Sequence, residues 1–126
     1  MNYDDYTAFR KGTFTKEGAM RSMITEVGAG LYTYMVMLEL AGRTGEAEFY
    51  KCIRTRVFEI RAHIQHDVTN ETLDRLSGEM ELIHRELETA RIFLLAHSPK
   101  EVCLLQSVTN TACGLIHTIK HFADKD

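Results

Sequence analysis

LDRLSGEMELIHRELETARIFL, residues 73–94, decides the fold class. Leu73, Leu76, Met80, Ile83, Leu87, Ala90 and Leu94 recur at alternating steps of three and four. That period places them on one stripe of an α-helix, whereas strand side chains alternate every second residue. The stripe is heptad-like and calls for equally apolar helices to pack against.

Working outward, Thr69 or Asn70 can cap the start of this helix, with Glu71 and Asp74 suited to the positive end of its dipole. Beyond its end stands Ser98-Pro99-Lys100-Glu101. Here Ser98 can cap, Pro99 suits a first helical position and Glu101 can close a capping box. A further helix is predicted from there, with Leu105, Val108, Ala112, Leu115, Ile119 and Phe122 as its stripe.

Upstream, a helix is predicted over about residues 46–68, with Phe49, Ile53, Val57, Ile60 and Ile64 as its apolar side. Before it, residues 16–41 carry Met20, Ile24, Val27, Leu31, Tyr34, Leu38 and Ala41 at the same alternating steps. Gly42 is a natural stop and Thr44 a candidate cap for the next helix.

Breaks this short join antiparallel neighbours. The chain therefore reads as all-α, an antiparallel up-down-up-down four-helix bundle over residues 16–126 with a short N-terminal helical, aromatic segment over residues 1–15. Tyr3, Tyr6, Phe9 and Phe14 make that segment too aromatic for a solvated tail, so it is expected to dock.

The 126 residues suffice for one domain with a core. A 44% apolar and 26% charged composition is ordinary for a globular chain, and a single proline argues against a sandwich or barrel. A net charge of -3 gives no electrostatic reason to bind nucleic acid or anionic lipid. Lys51, Arg54 and Arg61 share one helical face, but Glu46, Glu48 and Glu59 dilute it and no aromatics alternate with them. Three cysteines without C-x-x-C spacing read as reduced thiols, and the first residues lack an apolar signal core, so a cytoplasmic location is expected.

Residues 102–119, VCLLQSVTNTACGLIHTI, hold no Asp, Glu, Lys or Arg. Gln106, Ser107, Thr109, Asn110, Thr111 and His117 interrupt them, and a spanning helix needs about 20 mostly apolar residues, so no membrane is expected. The first helix has a matching neutral run, residues 27–38. A helix apolar on more than one face is buried on more than one face. Tyr32, Met35, Val36 and Leu40 of the first helix, with Gln106, Asn110, Cys113 and Gly114 of the fourth, are therefore the expected interface. A second copy of the chain, the N-terminal segment or an unidentified protein partner is the expected cover, with the homodimer preferred. The middle helices carry opposite charge, Lys51, Arg54, Arg56 and Arg61 against Glu79, Glu81, Glu86 and Glu88, which suits adjacent helices.

Catalytic signatures are missing. His117 and His121 share a helical face with Cys113 one turn earlier, a spacing that could hold zinc or copper, and Glu81-x-x-His84 matches half of a di-iron bundle motif. A bundle metal needs inward ligands from several helices, and by heptad phase His117 and His121 lie opposite the fourth stripe. Neither a catalytic residue nor a cofactor is expected. Gly28 and Gly30 are read as permitting close helix packing. The expected function is a non-enzymatic protein–protein interaction module: an adaptor, regulator or inhibitor acting by surface occlusion. A metal- or small-ligand-binding bundle is the alternative, and a nucleic-acid-associated regulator a third.

Overall fold

In the computed structural model, residues 15–123 are described. The aromatic docking segment expected around Tyr3, Tyr6, Phe9 and Phe14 lies outside them. Among the described residues there are four α-helices and no strand: α1 (Lys16–Leu40), α2 (Thr44–Ala62), α3 (Asn70–His97) and α4 (Val102–Ala123). A 3₁₀ turn, Pro99–Glu101, leads into α4.

The four helices form a bundle. α1 packs along α2 and α4, α3 packs along α4, and the α2–α3 seam is the most sparsely packed. The stripes read from the sequence supply its core, apart from Ala41 and Phe49, which are exposed. Met20, Ile24, Val27 and Leu31 of α1, Leu73, Leu76, Met80 and Leu87 of α3, and Leu105, Ala112, Leu115 and Ile119 of α4 are fully buried. Burial of this kind stabilises by about 1.5–3 kcal/mol per large side chain.

Glycine sets the spacing on both sides of α1. A Cβ on Gly28 would sit 2.5 Å from the Phe58 ring of α2, and one on Gly30 would sit 2.7 Å from Cγ2 of Val108 on α4. Only a missing side chain lets these neighbours come so close, as the sequence led us to expect. Arg54 exploits the same approach: its Nε donates to the Gly28 carbonyl oxygen at 3.1 Å, and its guanidinium lies 4.7 Å from the Phe58 ring centre and 5.4 Å from that of Tyr32. It is a packing residue rather than part of a solvated basic face.

Helix ends follow the expected chemistry in part. Thr15 caps α1 by accepting from the Gly18 amide, and Thr69 caps α3 by accepting from the Thr72 amide, both at 3.1 Å. Gly42 follows α1 with a φ of +77°, a backbone region that favours glycine.

Four expectations need correction. Thr44 does not cap α2; it is the first helical residue, and Arg43 holds the cap position without a side-chain cap bond. Ser98 makes no side-chain cap either, and no capping box forms. At the second site the Ser98 amide already donates to the Leu94 carbonyl oxygen at 2.6 Å. The Arg43 guanidinium binds Glu46 at 2.6 Å and Glu101 at 2.6 Å, so Glu101 is drawn across to the end of α1 instead of back to Ser98. α2 stops at Ala62 rather than residue 68, and the connection to α3 passes through Asp67 at a φ of +62°. Ile64 stays buried beyond the helix end, and its carbonyl oxygen accepts from Arg21 at 3.0 Å. Lastly, Phe49 is exposed; Ala47 and Tyr50 take its place on the buried side of α2.

Candidate functional site

The neutral helices do not assemble one apolar face. Met35 is buried, at 8% exposure, so it belongs to the core and not to an outward surface. Val36, Gln106, Cys113 and Gly114 are half-buried, while Tyr32, Leu40 and Asn110 are exposed. Tyr32 turns towards α2, where Arg54 lies over its ring. Asn110 accepts a 2.8 Å hydrogen bond from Gln106.

α4 uses its apolar residues inward. Leu105, Val108, Ala112, Leu115, Ile116, Ile119 and Ala123 are buried, and Thr109 joins them with its hydroxyl donating to the Leu105 carbonyl oxygen at 2.7 Å. What remains outside is Cys103, Ser107, Asn110, His117, Lys120 and His121, all exposed. By length and composition the segment Pro99–Ala123 would suffice to cross a membrane, but its outward positions are polar.

Exposed apolar surface is divided: Tyr32, Met37 and Leu40 carry part of it on α1. Of eight large apolar side chains exposed among the described residues, four stand on α3: Leu82 (52%), Ile92 (56%), Phe93 (61%) and Leu95 (52%). Leu82, Thr89 and Phe93 follow one another at helical steps on the side of α3 that looks towards α2. Across the loose seam stands Phe49. Phe49, Arg56, Leu82, Arg85, Glu86 and Thr89 line a cleft of about 450 Å³. Arg56 and Glu86 bridge it at 2.5 Å, the pairing of opposite signs that the sequence foretold for these two helices. Phe93 stacks on His97, ring centres 4.2 Å apart. Sequence reasoning missed this face because Phe49 falls on a plausible stripe and the charges of α3 mask Leu82 and Phe93.

Other chemistry-bearing residues stay dispersed. Among the described residues no group of three His, Cys, Asp or Glu could hold a metal ion. The carboxylate of Glu81 is engaged by Lys120 of α4, and that hydrogen bond holds its pKa below the usual range. His117 and His121 are exposed, and the ring of His121 meets Phe122 edge-on at 5.4 Å. Cys52, Cys103 and Cys113 are free thiols. Tyr34 and Tyr50 meet edge-on, 4.8 Å between centres, and burial pushes both hydroxyls above their ordinary pKa.

Comparison of the chain with protein-family models, with curated proteins and with solved structures returns no match in any of the three.

Proposed function

We propose that the protein is a non-enzymatic interaction module of the cytoplasm that works as a homodimer, its α2–α3 face against that of a second copy. The observation that supports this reading is the pair of exposed apolar side chains Leu82 and Phe93 on the α2-facing side of α3, with Phe49 across the most loosely packed seam. Exposed apolar groups gathered around a cleft mark a contact surface more often than a solvated one.

A second copy fits this face because the face complements itself. The Arg56–Glu86 bridge fixes the heights of two antiparallel helices. Phe49, seven residues before Arg56, is then level with Phe93, seven after Glu86. A two-fold axis parallel to the bundle sets α2 against α3 of the second copy at equal height. Each Phe49 meets Phe93 of the second copy. Glu59 and Arg85, both exposed, come opposite each other with an offset of two residues, about 3 Å of helical rise.

Light scattering across a dilution series, with circular dichroism as the folding control, tests this. The wild-type chain should be dimeric. Leu82→Asp should give a folded monomer, because the dimer would bury an unpaired charge. Asn110→Glu, on the competing α1–α4 face, should leave the dimer intact. The reverse pattern moves the interface to α1 and α4, and a wild-type chain monomeric at every concentration overturns the homodimer.

A further inference from the structure

One end of the bundle holds polar groups that a role in docking leaves unused. Where α1 finishes and α4 begins, a partly open cleft of about 370 Å³ has apolar walls from Met37, Leu38, Ala41 and Leu104. It is separate from the α2–α3 face. Its polar side is formed by Tyr34, Arg43, Lys100 and Glu101.

Two of those groups are incomplete. The Tyr34 side chain is buried at 3% exposure; its hydroxyl oxygen faces the Tyr50 hydroxyl, and its own O–H has no acceptor. Glu101 gives Oε1 to Arg43 at 2.6 Å, while its buried Oε2 has no partner. The hydroxyl and the carboxylate line the same cleft, and burial raises the Tyr34 pKa above its ordinary value. Tyr34 is therefore a neutral donor at ordinary pH, beside an acceptor. Buried polar atoms are nearly always paired, and leaving one unpaired is costly. Two in one cleft mark a place where something else completes them. Charge there is balanced: Arg43 and Lys100 face Glu46 and Glu101, so the cleft favours neither anions nor cations.

We infer that this cleft binds a small neutral molecule with an apolar body and one group that both donates and accepts, of which a primary amide is the simplest case. The Tyr34 hydroxyl donates to the amide oxygen, the free Glu101 oxygen accepts an amide N–H, and Met37, Leu38, Ala41 and Leu104 enclose the apolar part. A volume of about 370 Å³ lies at the small end of the range for ligand pockets.

Benzamide is the probe. In an amide-resolved NMR titration it should shift resonances around residues 34–41 and 101–105 to saturation. It should also slow alkylation of Cys103, which lines the cleft, and not that of Cys52. Benzoate sets a charge against the Glu101 oxygen and toluene offers no polar group, so each should bind at least about tenfold more weakly. Tyr34→Phe, which removes that hydroxyl and keeps the ring, should fold and bind benzamide at least about fivefold more weakly. Shifts that do not saturate by roughly 10 mM benzamide, equal slowing at Cys103 and Cys52, or toluene binding as tightly as benzamide would each overturn the inference.

Discussion

α4 and α3 invert each other. α4 has no charged residue from Val102 to Ile119, yet it shows solvent a polar face of Ser107, Asn110 and His117. α3 is dense in charge, yet it exposes Leu82, Ile92, Phe93 and Leu95. Charge along a segment and polarity of its outer face are thus different quantities. The first is a sum over residues; the second depends on helical phase. In α4 a wide buried face absorbs the apolar residues, with Thr109 and Ile116 broadening it. In α3 the heptad stripe fills the core, and further apolar residues lie outside it: Leu82 and Phe93 towards the sparsely packed α2–α3 seam, Ile92 and Leu95 on other faces.

The sharpest test of that contrast lies within α3. Leu87→Ala removes a fully buried side chain and should cost about 2–5 kcal/mol in denaturant unfolding. Leu82→Ala, five residues away, should change the stability of the monomer by no more than about 0.5 kcal/mol. Equal losses would mean that Leu82 is as well packed as the inner stripe of α3.

The second test sets the tight α1–α4 seam against open α3. Gly30→Ala drives a Cβ to within 2.7 Å of Val108, a buried, β-branched side chain with little freedom to move. It should destabilise by about 1–3 kcal/mol. Gly78→Ala on α3 meets nothing within 4 Å and should stabilise by about 0.5–1 kcal/mol through helix propensity. Thermal melts should show opposite signs; a shared sign would remove the distinction between the two surfaces.

The starts of the two helices differ as well. Thr69→Ala removes the acceptor that caps α3 and should cost about 0.5–2 kcal/mol. Ser98→Ala, where no side-chain cap forms, should stay within about 0.5 kcal/mol. Chemical denaturation of the two mutants ranks them, and a larger loss at Ser98 would restore the capping box.

The smallest effect concerns acid. Hydrogen bonds from Arg43 and Arg91 hold Glu46 and Glu88 below their ordinary pKa, as Lys120 does for Glu81. Their folded pKa values lie below the unfolded ones, so their contribution is complete above the unfolded value of 4.5 and is lost as pH falls through the folded values. These carboxylates are well exposed, so the melting temperature should decline only gently below pH 4.5, and less so near 1 M salt. A steep, salt-insensitive fall would point to a buried group instead.

The fold was legible because burial leaves a periodic trace. The stripes of α1, α3 and α4 needed only spacing, and Gly28 and Gly30 carried their own explanation. What stayed hidden depended on partners far along the chain. Glu101 reads as a capping residue until Arg43, 58 positions earlier, claims it. Phe49 and Tyr50 are adjacent, and only the position of α1 decides which one turns inward. Met35 reads as surplus until the width of the α1 contact is known. The cleft beside Tyr34 has no local signature at all, since its walls come from two ends of helices remote in sequence.

The loose α2–α3 seam has a kinetic side. α1–α2 and α3–α4 are hairpins with short turns, and α1 packed on α4 fastens one to the other. The ring of helices is thus a clasp, closed on three sides and slack on the fourth. Breathing at the slack side separates α2 from α3 without disturbing the α1–α4 joint. Amide exchange in native protein should therefore be faster along the facing edges of α2 and α3 than in α1 and α4, through openings smaller than global unfolding.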